Sequence, residues 1–172
     1  MTPDGEAVER FRIVVEGPPN WTHFRDFWHM FSKEGAVCVA STYTRVGGLY
    51  DTGFRHDPAR PLESLAEYCL GCYTNLSLPA RTDLIERYVR DCSADGFLIH
   101  SVKSCNSFSA GQLLILREIE RRTGIPGGFI ESDLVDPRYF GAANIDNRLQ
   151  SYFQMLAARA ARGAGVPAEA AP

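Results

Sequence analysis

Five cysteines and four histidines are the residues of this 172-residue chain best suited to bind metals, attack electrophiles or move protons. Cys105 stands apart. It lies in the polar stretch Lys103-Ser104-Cys105-Asn106, directly after the apolar run Phe97–Ser101 and before a helix-forming segment. A neighbouring lysine and a helix N-terminus both favour negative charge, which sulfur carries when it binds a metal or attacks an electrophile. Cys69 and Cys72 have the C-x-x-C spacing that lets two thiolates chelate one ion. Both also continue the apolar stripe of a helix, and no second C-x-x-C or H-x-x-x-H pair follows, so packing is their simpler role. Cys38, inside AVCVA, and Cys92, on a helix's inner face, read as small core hydrophobes. His100 sits inside an apolar run, as a hydrogen-bonded core histidine would, and His23, His29 and His56 share no ligand spacing. Glu131 and Asp133 flank the end of another apolar run, where a carboxylate pair suits acid–base work or the capping of the next turn.

No G-x-G-x-x-G follows an apolar run, and neither G-x-x-x-x-G-K-[ST] nor G-x-S-x-G occurs, so no dinucleotide fingerprint, phosphate-cradling loop or nucleophile elbow is present. If ATP is used, another chain binds it.

Four short runs must position these residues: Phe11–Glu16, Ala36–Ala40, Phe97–Ser101 and Gly127–Ser132, each bounded by turn formers and predicted to be a buried strand. Between the first two, Thr22 can cap a helix whose Phe24, Phe27, Trp28 and Phe31 share one face, with Gly35 as its left-handed terminator. Ser41 to Arg60 reads as a long loop. Pro61 opens a helix with Leu62, Leu65, Ala66 and Cys69 on its apolar face, ending near Asn75. Pro79 opens another, with Ile85, Tyr88, Val89 and Cys92 inward, and Gly96 ends it. Ser107 or Ser109 can cap a helix rich in Leu113, Leu114, Ile115, Leu116 and Ile119, stopped by Gly124 and Pro126. Ile145, Leu149, Tyr152, Phe153 and Leu156 give the last helix.

Strands alternating with helices predict an α/β fold: a doubly wound, flavodoxin-like, mostly parallel four-stranded sheet with helices on both faces. Residues 1–10 form a polar lead-in, 11–162 the domain and 163–172 a flexible tail. Ligands of such sheets bind beyond the carboxyl ends of the strands. That rule selects the loops after each strand and, with them, Asn20, Trp21, Lys103, Glu131 and Asp133 as candidate substrate-binding residues.

The composition, 45% hydrophobic and 23% charged, is that of one ordinary globular domain. A net charge of -3 with no basic block argues against a nucleic-acid partner. No apolar stretch approaches the ~20 residues of a membrane helix, and no secretory signal opens the chain. An odd cysteine count fits a reducing compartment, so the expectation is a cytoplasmic protein.

The stretch 95–156, DGFLIHSVKSCNSFSAGQLLILREIERRTGIPGGFIESDLVDPRYFGAANIDNRLQSYFQML, resembles the C-terminal domain of the benzoyl-CoA reductase and 2-hydroxyacyl-CoA dehydratase family: a strand, K-x-C, a helix, I-P, a strand ending E-x-D, then an Arg-bearing helix. Upstream, EGPPNWTHFRDFW and ASTYTRVGGLYD are similar to the reductase branch. The resemblance implies a subunit contributing to a 4Fe-4S cluster beside a bound acyl-CoA thioester, with Cys105 as a cluster ligand and Lys103, Ser101 and Ser104 tuning it. It implies hetero-oligomeric partners, including an activator subunit that hydrolyses ATP. Family subunits run to about twice this length and draw further cluster cysteines from an N-terminal half, so the chain corresponds to a C-terminal half and is expected to be inactive alone. Three readings stay open: an aromatic acyl-CoA reductase with a split cluster site, a 2-hydroxyacyl-CoA dehydratase subunit, and a non-catalytic flavodoxin-like assembly module. A three-cysteine site of Cys69, Cys72 and Cys105 is the alternative to the split cluster.

Overall fold

A computed structural model of the chain describes residues 9–45 and 53–164. The four strands form where the apolar runs predict them: β1 (Phe11–Glu16), β2 (Ala36–Ser41), β3 (Gly96–Val102) and β4 (Gly127–Ser132). All pair in parallel, in the order β2-β1-β3-β4. Among the described residues six α-helices connect or follow them: α1 (Phe24–Lys33), α2 (Pro61–Leu70), α3 (Leu78–Asp91), the single turn α4 (Asn106–Ser109), α5 (Gln112–Thr123) and α6 (Ala142–Ala164).

The central strands β1 and β3 are mostly apolar because both faces of the sheet are covered. Side chains alternate along a strand, so Ile13 and Val15 enter one core with Phe27, Phe31, Leu149 and Phe153 of α1 and α6, while Val14 enters a second with Ile85, Ile115 and Ile119 of α3 and α5. β3 is buried at every position, whereas the outer strands β2 and β4 are buried only in part. On the outer surface Arg122 pairs with Glu118 of its own helix and with Asp83 and Glu86 of α3, as a solvated charged face should.

Several helix boundaries differ from the sequence expectation. Thr22 does not cap α1; its hydroxyl donates to Asn20 Oδ1 instead. α2 stops at Leu70, and Tyr73–Asn75 forms a separate 3-10 turn. Its expected apolar face points outward: Leu62, Leu65, Ala66 and Cys69 are exposed, and only Ser64 is buried. α3 begins at Leu78, capped by Ser77, and ends at Asp91, so Gly96 opens β3 rather than closing the helix. Ser107 and Ser109 lie within α4, and α5 starts after Gly111, which sits at φ +80°. α6 runs two residues into the stretch expected to be a tail; 165–172, like most of the polar lead-in and 46–52 of the long loop, lie outside the described residues.

One backbone approach fixes the geometry of the sheet's carboxyl end. Gly17 has φ +104°, and a Cβ placed on it would stand 2.2 Å from the carbonyl oxygen of His100 in β3. No side chain fits there without displacing backbone. Gly17→Ala is therefore expected to cost on the order of 3 kcal/mol, combining left-handed strain with the clash, read as a lowered urea midpoint. A change within experimental error would show that the turn can leave β3 freely.

Candidate functional site

The turn Gly17–Trp21 leaves β1 and lies across the ends of β3 and β4. Asn20, fully buried, donates through Nδ2 to Ser132 Oγ at 3.1 Å and to the Asp133 carbonyl at 2.7 Å. Its Oδ1 accepts from Thr22 Oγ1 at 2.9 Å and from the His23 amide at 2.8 Å. Two donors and two acceptor positions are thus filled, the whole capacity of an amide side chain. Asn20 clamps the turn and has nothing left for a ligand in this arrangement.

His100, also fully buried, continues the chain of bonds. Its Nδ1 meets the Pro18 carbonyl, and its Nε2 lies 2.6 Å from Ser132 Oγ. A carbonyl only accepts, so Nδ1 carries the proton and Nε2 accepts from the serine hydroxyl. Burial holds the imidazole below its ordinary pKa, against the opposing pull of the Pro18 carbonyl and Asp133, so the ring is neutral. This is the hydrogen-bonded core histidine expected from its place in a strand.

Asp133 belongs to the same frame. Its carboxylate accepts from the amides of Ser104 at 3.1 Å, Val135 at 3.1 Å and Asp136 at 3.0 Å. Hydrogen bonding from Ser104, followed by the backbone of Val135, lowers its pKa to about 2. It therefore caps the following turn, and through Ser104 it ties the Cys105 loop to the end of β4. The Lys103 amide adds a bond to the Ser132 carbonyl at 3.0 Å. Of the carboxylate pair considered for acid–base work, only Glu131 is exposed. It faces Lys103 Nζ at 4.0 Å, and both line a cavity of about 220 Å³ with Tyr139, Asn144 and Arg148 at the start of α6.

Cys105 sits on that loop beyond the carboxyl end of β3, half-buried against Phe108 and the α3–α5 core. Its amide bonds the Val102 carbonyl, and its own carbonyl accepts from Phe108, Ser109 and the Ser109 hydroxyl, so the backbone holding the thiol is pinned on both sides. Trp21, 49% exposed, stacks on Phe24 with ring centroids 5.4 Å apart and meets Tyr43 edge-on at 5.9 Å. Tyr43 continues to Phe108 at 6.5 Å, which makes an aromatic rim from the β1 turn to the Cys105 loop. Among the described residues no three Cys, His, Asp or Glu side chains converge to hold a metal. Cys69 and Cys72 are thus not gathered with Cys105; Cys69 is exposed, and Cys72 Sγ bonds the Tyr68 carbonyl. Cys38 and Cys92 are half-buried, their thiols turned to the Ala40 and Val39 carbonyls, and burial raises the Cys38 thiol to about 11.

Sequence reading missed Glu16. This last residue of β1 is fully buried, accepts a hydrogen bond from Tyr73 Oη at 3.0 Å and another from Gln112 Nε2, and has Arg81 close by. Arg81 lies over the Tyr73 ring and donates to the Thr74 and Leu76 carbonyls. Gln112 Oε1 is buried with no partner among the described residues. Burial pushes the Glu16 pKa from 4.5 up to about 7, against the bonds from Tyr73 and Gln112 and the charge of Arg81. The signal was present: alternation in FRIVVE puts Glu16 on the same face as Val14, and a sheet covered on both faces buries it. The folded state binds this proton more tightly than the unfolded chain, so its contribution to stability is complete below pH 4.5 and is lost as pH rises toward 7. Glu16→Gln should remove that slope, on the order of 3 kcal/mol at most, in urea melts across the interval. An unchanged slope would place the proton on another group.

The family model of the 2-hydroxyglutaryl-CoA dehydratase D-component matches residues 2–156. The B-type subunit of benzoyl-CoA reductase from Thauera aromatica is 67% identical over 157 residues, 91% of this chain and 36% of the relative. The alpha subunit of lactoyl-CoA dehydratase from Anaerotignum propionicum is 24% identical, over 91% of this chain and 36% of its own length. The alpha subunit of (R)-2-hydroxyglutaryl-CoA dehydratase from Acidaminococcus fermentans is 25% identical, over 87% and 30%. The chain thus spans about a third of the length of the relatives it matches. Matched along most of its length by one family model, it belongs to the 2-hydroxyglutaryl-CoA dehydratase D-component family.

Proposed function

We propose that this chain is the Cys105-bearing part of a benzoyl-CoA reductase-type subunit. The observation that carries this reading is the 67% identity to the Thauera benzoyl-CoA reductase protein, against 24% and 25% to the dehydratase subunits. An iron–sulfur cluster takes soft thiolate ligands, normally four, and Cys105 offers one on a loop pinned at both ends. The donor set therefore fits a shared site, with Cys105 as this chain's ligand and the others outside it. When bound, a 4Fe-4S cluster would supply low-potential single electrons to the ring of an aromatic acyl-CoA.

This chain's residues prepare the place. Asn20, Ser132 and His100 hold the β1 turn, and Asp133 holds the Cys105 loop against it. The aromatic rim of Trp21, Phe24 and Tyr43 gives an aromatic acyl group a stacking surface. Lys103 brings a positive charge to the rim of the neighbouring cavity, where thioester or phosphate oxygens could meet it. On this reading the partners are the other reductase subunits and an ATP-hydrolysing activator. No helix among the described residues is long and apolar enough to cross a membrane.

The dehydratase reading rests on the family model and the more distant relatives, and one experiment separates the possibilities. A hybrid subunit, with this chain replacing the matched third of the Thauera protein, is assembled without oxygen with its partner subunits and analysed for iron, sulfide and low-temperature spin resonance. The expected hybrid binds iron and reduces benzoyl-CoA. Cys105→Ala should lose most of the iron, whereas Cys38→Ala and Cys92→Ala should keep it and lose about 1 to 3 kcal/mol of stability. Dehydration of a 2-hydroxyacyl-CoA in place of ring reduction moves the chain to the dehydratase branch. A complex that never binds iron makes it an assembly module, and a Cys105→Ala complex with full iron overturns the ligand assignment.

A further inference from the structure

The exposed apolar side chains are not spread over the surface. Among the described residues, all the large ones except Val37 and Met155 lie on elements at the carboxyl end of the sheet. The densest group is on α2, where Leu62, Leu65 and Leu70 are 77%, 48% and 70% exposed. α2 is about 15 Å long at 1.5 Å per residue, and among the described residues no other helix or strand makes more than marginal contact with it. What holds it lies on its inner side. Ser64 Oγ accepts from the Asp57 amide at 2.9 Å, the Tyr68 ring meets Phe54 and His56, and the following turn is anchored by buried Tyr73. Leu113 and Leu114, in the first turn of α5, add a second exposed apolar pair at the same end.

From this distribution we infer that α2, together with the first turn of α5, is the surface on which the remaining two thirds of a subunit like the matched relatives packs. Leaving three leucines of one helix in water forgoes about 25 cal/mol for each Å² of apolar surface that could be buried, and contiguous patches of this kind mark interfaces. A convex helix with outward leucines suits a polypeptide rather than a small ligand, which needs a concave site. The occupant follows from length: the relatives carry about two thirds of their chain outside the matched stretch. That polypeptide would cover the end of the sheet where Cys105 lies. The inference rests on the partial-subunit reading above, but its outcome is read from α2 and not from iron.

The test compares amide hydrogen exchange across 61–70 in the isolated chain and in the hybrid subunit. Exchange is expected to slow at least tenfold in the hybrid; equal rates in a folded hybrid overturn the inference. A second arm needs only the isolated chain. Leu62→Glu, Leu65→Glu and Leu70→Glu together should leave its melting temperature nearly unchanged, because these side chains are about half exposed or more, and a clear loss of stability would assign them to internal packing and overturn the proposal. Sedimentation of the same pair decides against a second copy: a concentration-dependent dimer abolished by the triple variant would give the surface to self-association and overturn the assigned occupant. A hybrid that protects α2 and holds no iron removes the cluster reading alone, and one that binds iron with α2 unprotected removes this inference alone.

Discussion

The carboxyl end of this sheet depends on one close approach, the turn after β1 lying flat against the β3 backbone at Gly17 and His100. Because the turn sits there, the Pro18 carbonyl can accept a hydrogen bond from His100 Nδ1, His100 Nε2 can accept one from the Ser132 hydroxyl, and Asn20 can reach both Ser132 and Asp133. The bonds tie three strand ends together and deliver the Cys105 loop, through Ser104 and Asp133, to a fixed place.

The same end sorts its ionisable groups by environment. Asp133 is out of solvent but ringed by amide protons, so its charge is stabilised. Glu16 has fewer donors and is fully buried, so its proton is held to about pH 7. His100 is neutral for the same reason with the opposite sign. The interior of this end thus carries little net charge, an environment in which charge arriving at the surface above it would be felt strongly.

The strands and the position of Cys105 were legible because they rest on local composition and one general rule: buried parallel strands are continuous apolar runs, and loops after them carry ligands. α2 was misread for a physical reason. Leu62, Leu65, Ala66 and Cys69 do recur at helical spacing, but periodicity reports that a helix has an apolar face and not whether this chain covers it. The clamp was illegible because it joins Asn20 to Ser132, 112 positions apart. Glu16 was readable from alternation and was overlooked because a terminal charge looks like the end of a strand. Where Ser107 and Ser109 seemed natural caps, a glycine at φ +80° makes the turn instead, a choice set by how the chain must bend between two short helices.

The last helix has a packing boundary within it. α6 spans 23 residues, about 35 Å, whereas a strand of the sheet covers about 20 Å. Its buried positions run from Ile145 to Leu156, and 158–162 are exposed. One continuous set of backbone hydrogen bonds is therefore shared by two unequal parts. The part under the sheet opens only when the core opens; the overhang is held by little beyond its own helical bonds, which for so few residues are marginal in water. Heating should unwind this helix from its end inward, well before the sheet separates, so a helical signal and a core fluorescence signal from the same molecule would begin to change at different temperatures.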